Sequence, residues 1–347
     1  MSDNLEPIKR LSRDLANAAK LLSREEVRYL VDSYYQLQEL RKANTNQVKS
    51  MTRGAKESGK AEPAEVLEWL RDETEKFEGQ IKRALEKYAE NQRVGRWALS
   101  IYGIGPVIAA ALPAYIDIEK APTAGHIWRF AGQDPTVRWE KGEKRPFNAG
   151  LKVLCWKIGQ SFLKFSNAPE CIYGHLLRER WKFEKENNVS GALAGQATEK
   201  LTRFKIKKTT EAYKWYSGQF AGPIARAYVL KGLDFSIDNV RQIPTVDEVA
   251  ELLAGTLDKK KTELFTRNLN DVGFLDLSVL EKYVGTPMLP PAHVLQRACR
   301  YTAKLYLAHW QAVAWESKYG TKPVRPYVLD HVPGHVHFIA PPGWPCE

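Results

Sequence analysis

Apolar residues recur along this chain at intervals of three and four, the period of helices that bury one stripe. Residues 22–51 carry Val27, Leu30, Tyr34, Leu37, Val48 and Met51 on such a stripe, interrupted by Arg41 and Asn44. Polar groups on a helix seam lower stability and fix register or partner number. Leu67, Leu70, Phe77, Ile81, Leu85 and Tyr88 repeat the spacing. Between the two stripes, TRGAKESGKAEP (52–63) is small, charged and ends in proline, and it reads as a loop. The pattern predicts a long, coiled-coil-like helical hairpin over residues 1–95. Its apolar stripe can pack on itself, on the next domain or on a second copy of the chain.

The second helix is predicted to continue through RVGRWALS into IYGIGPVIAAAL, residues 101–112. Gly103 and Gly105 reach backbone angles that other residues resist, and Pro106 suits the first turn of a helix, where its missing N–H would be unbonded anyway. A tight turn feeding a helix that ends near Ala114 is expected. Thr123 is a candidate N-cap for TAGHIWRFAG and Gly132 its stop. After the loop DPTVRWEKGEKRPFNAG, the segment GLKVLCWKIGQSFLKF is helical in spacing, and so is Pro169 to Asn187, with charges on its outer face. Residues 188–290 hold short helical patterns such as TVDEVAELLAG, broken by Gly and Pro, and no internal repeat. A strong amphipathic helix spans Ala292 to Glu316, and the proline-rich segment after it, ending HVPGHVHFIAPPGWPCE, is expected to lie extended on the surface. The predicted fold is mainly α, in four parts: the hairpin (1–95), a helix-hairpin-helix domain (96–187), a basic insertion (188–290), and a closing helix with an extended tail (291–347).

Charge sharpens this picture. Lys plus Arg number 52 against 41 Asp plus Glu in 347 residues, a net +11 that favours a polyanionic partner. Residues 200–231 hold eight cations (Lys200, Arg203, Lys205, Lys207, Lys208, Lys214, Arg226, Lys231) against Glu211 alone, interleaved with Phe204, Tyr213, Trp215, Tyr216 and Phe220. Cations can neutralise phosphates while aromatic faces stack on unpaired bases. The plain alternative is a solvated basic face over core aromatics. Arg297, Arg300 and Lys304 share one face of the late helix and add to the basic surface. No run of about 18 apolar residues suggests a membrane span. The start, MSDNLEPIKRLSRD, lacks the apolar core of an export signal. Four scattered cysteines point to a reducing, cytoplasmic setting.

The glycine turn carries the most specific chemistry. Apolar-x-Gly-apolar-Gly-Pro between two helices matches a helix-hairpin-helix, whose amides at Gly103, Ile104, Gly105 and Val107 would meet a nucleic-acid backbone without reading sequence. The alternative is an ordinary corner in which glycines only permit close packing. With this turn, the expected nucleic-acid contacts are Lys200, Arg203, Lys205, Lys207, Lys208, Lys214, Trp215, Arg297, Arg300 and Lys304. Cys171 and His175 stand four apart, and His331, His335 and His337 cluster near the C-terminal end. With no paired CxxC and no compact ligand framework, packing is expected for Cys171, surface positions for the histidines, and no metal or other cofactor. GxSxG and Walker-type motifs are absent.

IYGIGPVIAAAL, the loop FAGQDP, the helix NAGLKVLCWKIGQSFLKF and the late RACRYTAKLYLAHW together resemble the C-terminal domain of the bridge-RNA-guided insertion-sequence transposases. Those proteins pair a DEDD nuclease fold with a serine domain. The resemblance covers residues 90–187 and 293–316. It implies a transposase-like protein of a mobile element or phage that binds duplex or branched DNA in recombination, with structured RNA as the alternative ligand. A homodimer through the hairpin would correspond to the family's coiled-coil connector. A coiled-coil interaction protein without nucleic acid is the third class. The family's nuclease acids have no counterpart here. Where the family places a serine, this chain reads Arg138, Trp139, Glu140, Lys141, Gly142, with no hydroxyl nucleophile. Backbone binding therefore carries over, and no catalytic residue is assigned.

Overall fold

The computed structural model describes residues 13–58, 65–137, 139–140, 142–218, 287–324 and 339–344. Among these the chain is mainly helical, with no strand. It divides into two compact units, one formed by residues 1–174 with 303–347 and the other by 175–302. The first ninety-five residues thus share a unit with the glycine turn.

In the first unit, α1 (Arg13–Ala18) and a short 3-10 turn lead into α2 (Arg24–Ser58). Ser23 and Glu26 start α2 as a reciprocal capping box: the Glu26 amide donates to Ser23 Oγ (3.2 Å) and the Ser23 amide to Glu26 Oε2 (2.7 Å). The expected loop at 52–63 is corrected in its first part, because α2 continues through Ser58; residues 59–64 lie outside the described residues. Ala55, Lys56 and Glu57 are good helix formers, which carries the helix past the glycine at 54. α3 (Glu65–Glu90) packs along α2, and both rest on α5 (Pro106–Tyr115). One interruption on the seam is explained within the chain: Arg41 Nε donates to Glu78 Oε2 at 2.7 Å, joining the two arms in one register, while the buried Asn44 amide nitrogen finds no acceptor among the described residues.

A second correction concerns the joint between hairpin and turn. α3 ends at Glu90 and a separate helix, α4 (Arg93–Ser100), begins after Gln92. Gly95 lies so close to the end of α3 that a Cβ would stand 2.1 Å from the Ala89 carbonyl oxygen. That approach is possible only for glycine.

α5 is Ala-rich and nearly all buried, which lets four helices close around it. Its C-terminal end is capped from α2, where Arg24 and Arg28 both donate to the Ala114 carbonyl (3.3 and 2.8 Å). α6 (Ala124–Phe130) stops at Gly132, whose φ is +63°. Asn148 caps α7 (Ala149–Lys164) by accepting from the Leu151 amide. The centre of the unit is aromatic. Trp97 stacks on Tyr306 (5.7 Å), Phe162 on Tyr173 (4.7 Å), and Tyr306 meets both Phe162 and Tyr173 edge-on.

The described part of the tail is docked. Trp97 Nε1 donates to the Pro342 carbonyl (2.8 Å), Trp344 Nε1 donates to Glu316 (2.7 Å), and Arg93 lies over the Trp344 ring (4.8 Å). His309, buried, bonds the Tyr173 hydroxyl through Nδ1 (2.6 Å) and the Ile339 carbonyl through Nε2 (2.8 Å).

The chain leaves this unit within α8 (Ile172–Val189) and returns within α11 (Pro291–Tyr319). Between them, α9 (Ala194–Arg203) and α10 (Glu211–Tyr216) help build the second unit. Among its described residues, Ala197, Leu289 and Val294 form a buried cluster with Trp181, Leu193 and Tyr216 packed against it. The buried Asn188 side chain donates to the Leu289 carbonyl (2.9 Å) and accepts its amide (2.8 Å). The predicted helix TVDEVAELLAG lies outside the described residues.

Candidate nucleic-acid interface

The glycine turn is a compact bend held from behind. Ile104 N–H donates to the Ile101 carbonyl (2.9 Å), and Gly103 takes φ +95°. A Cβ at Gly103 would stand 3.3 Å from the Phe162 ring, so glycine is needed there for angle and for space. The Ser161 hydroxyl donates to the Gly103 carbonyl, and the Cys171 thiol to that of Tyr102 (3.6 Å). Because N–H and C=O of one trans peptide point oppositely, a Tyr102 carbonyl turned toward Cys171 directs the Gly103 amide away from it.

Gly105 differs. It has an extended φ of −92°, is exposed, and a Cβ built on it meets nothing within 4 Å. The expectation that both glycines serve the bend is corrected: Gly103 makes the turn, while Gly105 leaves open space over the helix N-terminus. As N-cap of α5 it has no side chain to bond the first amides. The first bond of α5 runs from Ala109 N–H to the Gly105 carbonyl (3.0 Å), and among the described residues no acceptor meets the amides of Gly105, Val107 or Ile108. Ile104 is corrected as a contact, since its side chain is buried and its amide closes the turn. Beside the bend lie groups not singled out from the sequence. Tyr102 is 44% exposed, Phe165 meets its ring edge-on (5.5 Å), and the Lys164 ammonium lies 5.4 Å from the Phe165 ring. The pair Lys164–Phe165 at the end of α7 was the available signal.

In the second unit the basic stretch splits. Arg203, Lys205, Lys207 and Lys208 are exposed around the end of α9 and the loop after it, with Phe204 47% exposed among them. Lys200 lies over the Phe204 ring (4.7 Å) and Arg203 near it (5.8 Å). Lys214 is corrected as a free cation: it pairs with Glu211 (3.6 Å). Trp215 is half-buried, and Tyr216 belongs to the core, as the plain alternative expects for aromatics behind a basic face. Phe220, Arg226 and Lys231 lie outside the described residues.

The single basic face expected on the late helix does not hold either. Arg297 donates to Glu184 Oε2 (2.6 Å) and to Gln196 (2.6 Å). Glu184, only 2% exposed, also accepts Arg180 twice on Oε1 (2.9 and 2.6 Å). Lys304 falls in the first unit, over the Trp128 ring (4.4 Å), where burial lowers its pKa and Asp134 opposes that shift. Arg300 is exposed, and its Nε donates to the Gln296 carbonyl of its own helix (3.2 Å). Although the residue as a whole is exposed, protein packed around its guanidinium and then Arg297 lower its pKa, against Glu184.

Cys171 is buried, with a thiol pKa raised by that burial, so it serves packing and the turn. His175 is exposed, and among the described residues no group of three metal-ligating side chains gathers. His331, His335 and His337 lie outside the described residues, as do Arg138 and Lys141 in the neighbourhood where the resembled family has its serine. No helix among the described residues is long and apolar enough to cross a membrane. No family model, curated protein or solved structure matches the chain.

Proposed function

We propose that this protein binds the sugar–phosphate backbone of duplex or branched DNA without reading its sequence, and that it serves recombination as a transposase-like partner protein of a mobile element or phage. The observation that carries the reading is the open N-terminus of α5: unbonded amides under an exposed Gly105, on a bend fixed from behind by Ser161 and Cys171. Such an end holds an anion through N–H groups and the helix dipole together. The exposed cations from Arg203 to Lys208 supply a second, side-chain surface for phosphates. The recombination role rests on the resemblance alone.

Gly105→Asp tests the hairpin. Its backbone angles are those of an N-cap, and aspartate caps better than glycine, so the fold is kept or slightly strengthened while a carboxylate occupies the anion site. Gly105→Asn caps equally without charge. Binding to labelled DNA across a salt series should fall in the order wild type, Asn, Asp, with unchanged melting. Equal affinity for all three would overturn the hairpin reading, and stronger binding to structured RNA than to any DNA would make RNA the ligand.

The expected dimer is proposed through α3, whose Val66, Trp69 and Phe77 are 70%, 50% and 47% exposed. Concentration-dependent sedimentation that disappears in Trp69→Glu is the result that supports it. The buried thiols of Cys155, Cys171 and Cys299, which form no disulfide among the described residues, favour a reducing cytoplasm.

A further inference from the structure

The last described segment of the chain, Ile339 to Trp344, is held by contacts of the kind that hold a bound peptide. Its sequence, IAPPGW, prepares its shape: Pro341 and Pro342 fix their own φ, and Gly343 takes a left-handed φ of +62° in the turn it makes with Pro342. A segment so restricted loses little freedom on docking. Two helices receive it, α4 with Arg93 and Trp97 and α11 with His309 and Glu316. Ring N–H groups of Trp97 and His309 reach the carbonyls of Pro342 and Ile339, both at 2.8 Å. The Ile339 carbonyl can only accept, so His309 carries its proton on Nε2 and accepts the Tyr173 hydroxyl on Nδ1. Trp344 supplies an anchoring side chain: its indole N–H meets Glu316 and its ring lies under Arg93. Aromatic residues that receive a proline-rich stretch are a recurring way in which folded domains take up peptides.

The receiving groups lead on to the bend. Trp97 is fully buried and stacks on Tyr306, Tyr306 meets Phe162 edge-on, and the Phe162 ring is the surface against which Gly103 fits without a Cβ. Along the backbone, the Trp97 carbonyl accepts the Ser100 hydroxyl (2.7 Å), and α4 then ends at Ile101, whose carbonyl takes the Ile104 amide that closes the turn. All of these residues lie in the first unit. A close-packed interior passes a displacement on to its neighbours.

We propose that the surface shared by α4 and α11 is a docking site for a proline-rich peptide, that its occupant is the chain's own segment 339–344, and that occupancy positions the bend for a phosphate backbone. The segment is thus a separable strap. Its docking stands on the contacts above, and its effect on nucleic-acid binding rests on the proposed function.

A chain ending at Phe338 opens the site. A fluorescein-labelled IAPPGW peptide should bind this shortened chain and raise its melting temperature, and a peptide with alanine in place of the tryptophan should do neither. The wild type should take up the same peptide at least about tenfold more weakly, because its own segment, tethered through residues 325–338, competes at an effective concentration of about millimolar order. If the shortened chain does not fold, Trp344→Ala in the full chain serves as the opened form. The opened form should lose about tenfold in affinity for labelled duplex or branched DNA, at a temperature where its circular dichroism matches the wild type, and saturating peptide should restore the affinity.

Peptide binding with no DNA bound by any form keeps the docking site and removes the functional reading. DNA bound equally with and without the segment removes the coupling to the bend and keeps the functional reading. Tighter DNA binding by the opened form also overturns the positioning role, since the segment would then be a cover. Failure of the peptide to bind either opened form overturns the docking site itself.

Discussion

The two candidate surfaces make opposite use of charge. The bend before α5 offers backbone amides, with Lys164 as its nearby cation, and the protein fixes it through carbonyls on the opposite side. The second unit offers side chains, and much of its positive charge is already engaged: Lys214 with Glu211, Arg297 and Arg180 with Glu184. A count of cations along a sequence therefore overstates what a phosphate can reach. A glycine and a proline at a helix start state it more faithfully, because what they prescribe is local.

The largest expected effect tests how far the second unit depends on its ion cluster. Glu184→Ala leaves two crowded guanidiniums without their carboxylate, and thermal or urea unfolding should show a loss of about 3 kcal/mol, the low end for breaking a buried pair. The bend in the first unit has no such dependence. Its unit is instead sensitive to acid through His309, whose pKa burial lowers from 6.5 to about 4. A neutral buried histidine stabilises fully above its unfolded pKa. That contribution is lost as pH falls from about 6.5 toward 4, by about 2–3 kcal/mol at the lower end. Melting followed from pH 7 to 4 should show a smaller acid loss in His309→Gln, and an identical profile would remove His309 as the cause.

A third effect, about tenfold in affinity, is expected for Gly105→Asp at unchanged stability, measured by fluorescence anisotropy. The smallest contrast lies within the basic stretch. Lys207→Ala with Lys208→Ala should flatten the salt slope by about two, while Lys214→Ala should leave it as it was. A larger effect from Lys214 would mean that its pairing with Glu211 opens on binding.

Local rules made part of the molecule legible. Positive φ at Gly103 and Gly132, Pro106 at the first helical position, and the apolar stripes of α2, α3 and α11 all follow from short stretches. What escaped depends on distant partners. Glu184 sits in a helix charged on its outer side and has no local sign of burial; only α11 arriving with Arg297 makes it a core residue. The break between α3 and α4 has no proline to announce it, and Gly95 reveals it only once Ala89 is seen against it. The role of Gly105 was visible as a glycine but not as a gap, since emptiness above a residue belongs to the whole surface.

One further consequence comes from the chain's order. The first unit needs residues 303–344 to finish its centre: Tyr306 under Trp97, His309 beside Tyr173, and Pro342 on the Trp97 indole. A ribosome makes all of residues 175–302 before it reaches them. During synthesis the helix leading into the bend thus waits with its tryptophan uncovered until the intervening unit has emerged and had time to fold.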